Sequence, residues 1–233
     1  MKGAFVTATG TGVGKTFVTR ALVTALRNRG ERAIAIKPVE TGIDSARDTD
    51  SARSAESANM PETSDAAILA AASGDASLAN ALGFHRGTLP LAPYAASLEG
   101  EGLPPSVGDL VAAVHAAAKR ANATRCLVEG AGGLAVPLDA AFTFADFAEK
   151  LAFPLVVVAT DALGTLSHTL TLAAAANLHA LRIDAVVLNL PPGTHADDST
   201  RTNGRILAER LAVPVVRTAD ADWEDAVLRA LAL

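Results

Sequence analysis

The run Ala8-Thr9-Gly10-Thr11-Gly12-Val13-Gly14-Lys15-Thr16 brings glycines, a lysine and a hydroxyl together at the spacing of a phosphate-binding loop. It follows the apolar, strand-like Gly3-Ala4-Phe5-Val6-Thr7 and leads into a helical pattern from Phe17 to Arg29. Glycines let successive backbone N–H groups turn toward phosphate oxygens, and the helix N-terminus adds partial positive charge. Lys15 would reach the β- and γ-phosphates, and the Thr16 hydroxyl would ligate Mg²⁺. Thr9 departs from the strict pattern, which has glycine six residues before the lysine. These residues together imply a nucleoside triphosphate as ligand.

Other polar residues sit where strands should end. Lys37 follows Ala33-Ile34-Ala35-Ile36 and precedes Pro38, so its ammonium would either face the phosphate loop or end in solvent. Glu129 closes the apolar Cys126-Leu127-Val128 and opens Gly130-Ala131-Gly132-Gly133. A buried carboxylate is costly unless paired or on a metal, so Glu129 is a candidate Mg²⁺ ligand, with a salt-bridged turn as the alternative. The four residues after it could form a second anion-binding nest. A second metal-binding acid would come from Asp44, Asp48, Asp50 or Asp65, of which Asp65 starts a helix after Ser64. Thr41-Gly42 and Thr165 to His168 lie at junctions suited to substrate contact, although a lone histidine on an Ala/Leu-rich helix reads as a packed or interface residue. Asn189 would either bond a base edge or shape the turn before Pro191-Pro192.

Repeated strand–helix units would position these groups. Strands are expected near residues 3–8, 33–36, 126–129, 155–159, 185–189 and 213–216. Helices are expected near 15–29, 64–72, 106–121, 142–151, 165–180, 199–211 and 222–232. The Ser- and Asp-rich stretch from Glu40 to Pro61 reads as a loop, and the prolines of Leu89-Pro90-Leu91-Ala92-Pro93 exclude a central strand or helix interior. Near-continuous Val/Leu strands between helices predict an α/β fold, a mostly parallel sheet with helices on both faces, in a single domain over 1–233. Ligands of such sheets lie beyond the carboxyl ends of the strands, which is where Lys37, Glu129 and Asn189 fall.

Half of the chain is hydrophobic and only 4% aromatic, so Ala, Leu and Val must build the core. A net charge of −5 gives no basic face for nucleic acid. The single cysteine, Cys126, rules out an internal disulfide and reads as a buried, inert thiol. With no signal-like N-terminus and no apolar run near membrane-span length, the chain is expected to be cytoplasmic.

At these residues the chain resembles the dethiobiotin synthetases, ATP-dependent enzymes of biotin synthesis. The matching stretches are Phe5-Val6-Thr7 with Gly12 to Thr16, then Lys37-Pro38-Val39-Glu40-Thr41-Gly42 and Leu91-Ala92-Pro93. They continue with Val128-Glu129-Gly130-Ala131-Gly132-Gly133, Thr143-Phe144-Ala145-Asp146, and Leu163-Gly164-Thr165 with His168. The resemblance implies a P-loop NTPase-type fold and a homodimer with the substrate site near the interface. It implies 7,8-diaminononanoate, CO₂ and MgATP as substrates, joined through a carbamate and a carbamic-phosphoric mixed anhydride. Lys15 and Lys37 would then be the catalytic cations, with Thr16, Asp65 and Glu129 on Mg²⁺. ATP would lie on Gly12, Val13, Gly14, Lys15, Thr16 and Phe17, beside Asp65, Glu129, Gly130, Ala131 and Gly132, with Asn189 reading adenine. Thr11, Thr41, Gly132 and Gly133 would meet the diamine.

Four positions depart from the family pattern. Gly12 replaces a glutamate of some members, Ser167 replaces a usual asparagine, the stretch from Gly42 to Asp65 is long, and Val216-Arg217-Thr218-Ala219-Asp220 lacks an apolar-proline turn. The rival reading is a partition-type ATPase switch, which usually carries a lysine five residues before the loop lysine; here that residue is Gly10.

Overall fold

Strand β1 (Lys2–Ala8) sends Ala4, Val6 and Ala8 to one side and Phe5 to the other, and all four are fully buried. A strand buried on both faces must sit inside a sheet covered by helices on each side. The computed structural model describes residues 1–43 and 63–233 and shows that arrangement. β1 lies between β5 (Arg125–Glu129) and β6 (Leu155–Thr160), with Phe5 opposite both Val128 and Leu155. β2 (Ala33–Ile36) pairs beyond β5; β7 (Ile183–Asn189) and then β8 (Val215–Arg217) pair beyond β6. Among the described residues the order is β2-β5-β1-β6-β7-β8, with every pairing parallel.

One face packs against α1 (Lys15–Asn28) and α8 (Trp223–Ala230), with Leu69 of α2 (Asp65–Ala72). The other packs against α4 (Val107–Arg120), α5 (Phe144–Leu151), α6 (Thr165–Leu178) and α7 (Thr200–Leu211). Phe5 and Phe147 meet edge to face, ring centroids 5.7 Å apart, in the centre of that second layer. Gly3 is required by close packing: a Cβ there would stand 2.3 Å from the Cys126 carbonyl oxygen. Cys126 is fully buried, and burial pushes its thiol up to about 12, as an inert core cysteine requires.

The expected strands and helices are present, and their ends shift for local reasons. The helix expected from 142 starts at Phe144, because Thr143 and Asp146 form a reciprocal capping box at its entrance. The helix expected to reach 180 ends at Leu178, followed by Ala180 in the left-handed region. Four elements are not expected from the sequence: β3 (Val39–Glu40) and β4 (His85–Arg86), paired in parallel, a 3₁₀ turn at Ala76–Asn80, and α3 (Pro93–Leu98). Elements of two to six residues carry too few side chains to show a period. Glu40, read as the start of a loop, is instead buried in β3, and residues 44–62 lie outside the described residues. No described helix is long and apolar enough to cross a membrane.

Phe147 is fully buried and belongs to α5, away from the phosphate loop. Phe147→Ala should lower unfolding free energy by about 3–5 kcal/mol, read from the denaturation midpoint at unchanged slope. A loss below about 1 kcal/mol would contradict this packing.

Candidate functional site

The phosphate loop is made where β1 stops and α1 begins. Gly12 and Gly14 have φ of 75° and 97°, a region that favours glycine, and Gly14 is the N-cap of α1. Helix α1 has no side-chain cap and no acid in its first turn, so its leading amides and dipole are left to an anion. A Cβ on Gly14 would stand 2.2 Å from Asn189 Nδ2, so close approach also demands glycine there. Asn189 ends β7, donates to the Val13 carbonyl at 2.9 Å and accepts from Thr218 Oγ1 at 2.9 Å. It therefore ties the loop to the far half of the sheet, a contact that neither the base-reading nor the turn-shaping alternative anticipates.

Beside this loop lies a group of five charges. Lys15 is 8% exposed, with Nζ donating to the Gly10 carbonyl at 3.4 Å. Lys37 is 6% exposed, which excludes the solvated alternative. Its Nζ donates to Glu129 Oε1 at 3.0 Å and to Asp65 Oδ2. Thr16 Oγ1 donates to the same Glu129 Oε1 at 2.9 Å. Glu129 is fully buried at the end of β5, and its Oε2 has no hydrogen-bond partner among the described residues. The fifth charge, Glu40, accepts from the Asp65 and Ala66 amides at 2.8 and 3.0 Å.

Electrostatics follow from that geometry. Burial works against the Lys37 ammonium, yet Glu129 and Asp65 outweigh it and hold its pKa above the ordinary value. Burial would raise Asp65, but Lys37 holds its carboxyl below the ordinary range. Lys15 goes the other way: burial lowers it, only partly opposed by Glu129. Lys37 is thus held as a cation by its two acids, whereas at Lys15 burial outweighs the nearby acids.

The loop and four of these charges, Lys15, Lys37, Glu40 and Asp65, border a cavity of about 510 Å³, lined also by Thr11, Gly12, Thr41, Ala131 and Gly132. Pro90, Leu91, Ala92 and Pro93 form an apolar stretch of its lining, to which Val136 adds. In sequence these prolines break regular structure and Leu91-Ala92-Pro93 carries part of the family resemblance, but neither signals a cavity wall. Glu40 is a second such residue, since nothing in sequence links it to Asp65.

The glycines after Glu129 are required by proximity: a Cβ on Gly130 would meet the Phe5 ring at 3.0 Å, and one on Gly133 the Ala8 carbonyl at 2.9 Å. Gly133 opens on a separate hollow of about 260 Å³, shared with Thr9, Leu134, His168 and Leu172. Phe17 is 45% exposed on α1, its ring 6.0 Å from the Arg20 guanidinium carbon. Of the four candidate second acids, Asp65 joins the cluster, whereas Asp44, Asp48 and Asp50 lie outside the described residues. A group formed by Asp146, Glu149 and His179 is distinct from this cluster.

The donors suit a hard divalent cation: a hydroxyl and two carboxylates, one carrying a buried oxygen with no other partner. With the phosphate loop, fold and site define the P-loop class of nucleotide-binding proteins. A family described as an AAA domain matches residues 2–221. Among solved structures the chain is similar in fold to the signal recognition particle receptor FtsY of Elizabethkingia anophelis, at 13% identity and TM-score 0.54, covering 99% of this chain and 65% of that one. It is similar also to MinD of Pyrococcus horikoshii, a structure with Mg-ADP, at 17% identity and TM-score 0.50, covering 98% and 86%. At these identities the likeness is one of fold.

Two sequence relatives are named ATP-dependent dethiobiotin synthetase BioD. That of Anaeromyxobacter dehalogenans (strain 2CP-C) is 40% identical over 89% of this chain and 85% of its own. That of Aquifex aeolicus (strain VF5) is 35% identical over 89% and 84%. The chain belongs to the ATP-dependent dethiobiotin synthetase family.

The ion pair predicts a pH dependence. Asp65 has its pKa depressed below 3.8, so its contribution to stability is present above that value and is lost as pH falls through the folded pKa. Lys37, raised above 10.5, contributes below that value and loses the contribution as pH rises through the folded pKa. Denaturant unfolding of wild type and Asp65→Asn should therefore show a stability gap at pH 7 that narrows toward pH 2; a gap independent of pH would contradict the pairing.

Proposed function

We propose that this chain is the ligase that closes a cyclic urea, converting 7,8-diaminononanoate, CO₂ and ATP to dethiobiotin, ADP and phosphate. The observation that carries this reading is the convergence of Lys15, Lys37, Thr16 and Asp65 on one cavity beside the phosphate loop, with Glu129 buried behind it and bonded to Thr16 and Lys37. In the reaction, one amine bonds to the CO₂ carbon and loses a proton, giving a carbamate. A carbamate oxygen takes the γ-phosphoryl group and ADP departs. The second amine then attacks the activated carbonyl carbon, loses a proton, and phosphate leaves as the ring closes.

The residues supply position and charge, which is what phosphoryl transfer requires of a protein. Lys15 and Lys37 hold the carbamate and γ-phosphate oxygens together and offset their repulsion. The amides of Gly12, Val13 and Gly14 orient the phosphate chain. Thr11, Thr41 and Gly132 border the diamine, whereas Gly133 faces the separate hollow, and the Pro90–Pro93 wall restricts water around the mixed anhydride. Thr16, Asp65 and Glu129 are the groups for Mg²⁺, which when bound would neutralise phosphate oxygens. Asn189 lies at the loop where it would meet the adenine.

The chain would act in the cytoplasm as a single domain and as a homodimer. Support for the dimer comes from two exposed leucines, Leu163 just before α6 at 85% and Leu178 at its end at 88%. Gly10, at the position of a partition-type ATPase's extra lysine, speaks against the switch reading.

Incubation with 7,8-diaminononanoate, bicarbonate and MgATP should yield dethiobiotin by mass detection; ATP turnover without that product would refute the assignment. Lys37→Ala should lower turnover by about 100- to 1000-fold, the cost of one positioned charge stabilising group, with nucleotide affinity within a few fold of wild type. Full activity in that variant would remove Lys37 from the mechanism.

A further inference from the structure

Asp65 is held twice by one short segment. Its side chain pairs with Lys37 Nζ, and its backbone amide donates to Glu40 Oε1 at 2.8 Å. The other Glu40 oxygen accepts from the Ala66 amide at 3.0 Å. We infer that Glu40 is a positioning residue, which by chelating the first two amides of α2 fixes the Asp65 carboxylate beside Lys37 and the Thr16–Glu129 pair.

This contact differs from an ordinary helix cap. Helix α2 already has one, since Ser64 Oγ accepts from the Ala67 amide at 3.1 Å. Glu40 comes from strand β3 and is 7% exposed, a costly location for a carboxylate unless its oxygens are engaged. Both are engaged, and both at α2. Positive charge is also near: Arg86, the register partner of Glu40 across β3–β4, is largely buried and its guanidinium donates to the Ala79 and Pro38 carbonyls.

The consequence is geometric. Lys37 and Glu40 belong to one tight segment leaving β2, so any displacement of Glu40 moves both halves of the clamp on Asp65 together. Asp65 is thereby placed through space by residues 37–40, and the cation site inherits its geometry from β2. The inference rests on reading Asp65 and Glu129 as the metal-binding acids.

Mn²⁺ can stand for Mg²⁺ and be followed by electron paramagnetic resonance in the presence of a non-hydrolysable ATP analogue. Glu40→Gln keeps the volume but sets an NH₂ against one α2 amide. It should raise the Mn²⁺ dissociation constant about tenfold, as loss of a partner that orients a metal ligand does. Glu40→Asp keeps the charge but shortens the reach, and should shift it in the same direction if Glu40→Gln folds poorly. Ser64→Ala removes the other cap of the same helix and should bind Mn²⁺ as wild type does.

Wild-type Mn²⁺ affinity in the Glu40 variants, or an equal loss in Ser64→Ala, would overturn the inference. Failure of the wild-type protein to take up Mn²⁺ would overturn it together with the metal reading. Metal and analogue uptake without dethiobiotin formation would sink only the substrate assignment and leave the role of Glu40 standing.

Discussion

A buried ammonium shared by two carboxylates is the interaction on which the site depends. Lys37 Nζ lies out of water between Asp65 and Glu129, where an unpaired charge would cost several kcal/mol. Each partner is therefore indispensable to the other. Removing either acid leaves a desolvated cation, and removing the lysine leaves two acids facing each other. The same group connects three elements that are remote in sequence: the end of β2, the start of α2 and the end of β5. Thr16 then joins that group to the phosphate loop through Glu129, so electrostatic pairing and loop geometry form one structure.

The sheet makes this pairing possible. Parallel pairing of β1 with β5 sets Val6 opposite Glu129, and β2 beside β5 sets Ile36 opposite Val128. Lys37 and Glu129 consequently leave adjacent strands at the same level and on the same edge. Helix α1 begins at that edge because β1 ends there. Small residues permit the close contacts: Gly14 against Asn189, and Gly133 against the Ala8 carbonyl. Farther along the edge, Asp161 is 2% exposed and accepts from Arg217 and Asn203, a second buried polar network that braces β8 and α7. Neutral and charged pairs thus hold the strand ends where ligands must bind.

Much of this was legible in the chain. Gly12 to Thr16 announce the loop because few arrangements other than anion binding call for glycines and lysine at a helix start. Lys37 and Glu129 were legible because each is a charge that ends an apolar strand. Asp65 was less so: its place at a helix start after Ser64 set it only slightly apart from the other acids, and its contact with Lys37 comes from the packed molecule. The Pro90–Pro93 wall, the Glu40 contact with α2, and the short β3–β4 pair could not be read, since none carries a periodic or compositional signal. Asn189 reads in sequence as a base contact or a turn former, and its bonds to Val13 and Thr218 are a loop tie that no local pattern signals.

Local sequence by itself determined the strand–loop–helix unit, the α/β alternation and the chemical types of the groups at each strand end, because these depend on propensity, period and neighbours within a few residues. Tertiary structure alone decided which groups meet. That a lysine from β2 is shared by acids from β5 and α2, and that a carboxylate from β3 holds two amides of α2, follow from register across the sheet and from the cost of leaving buried charge unpaired. Those are properties of the packed molecule, and no short window of the chain contains them.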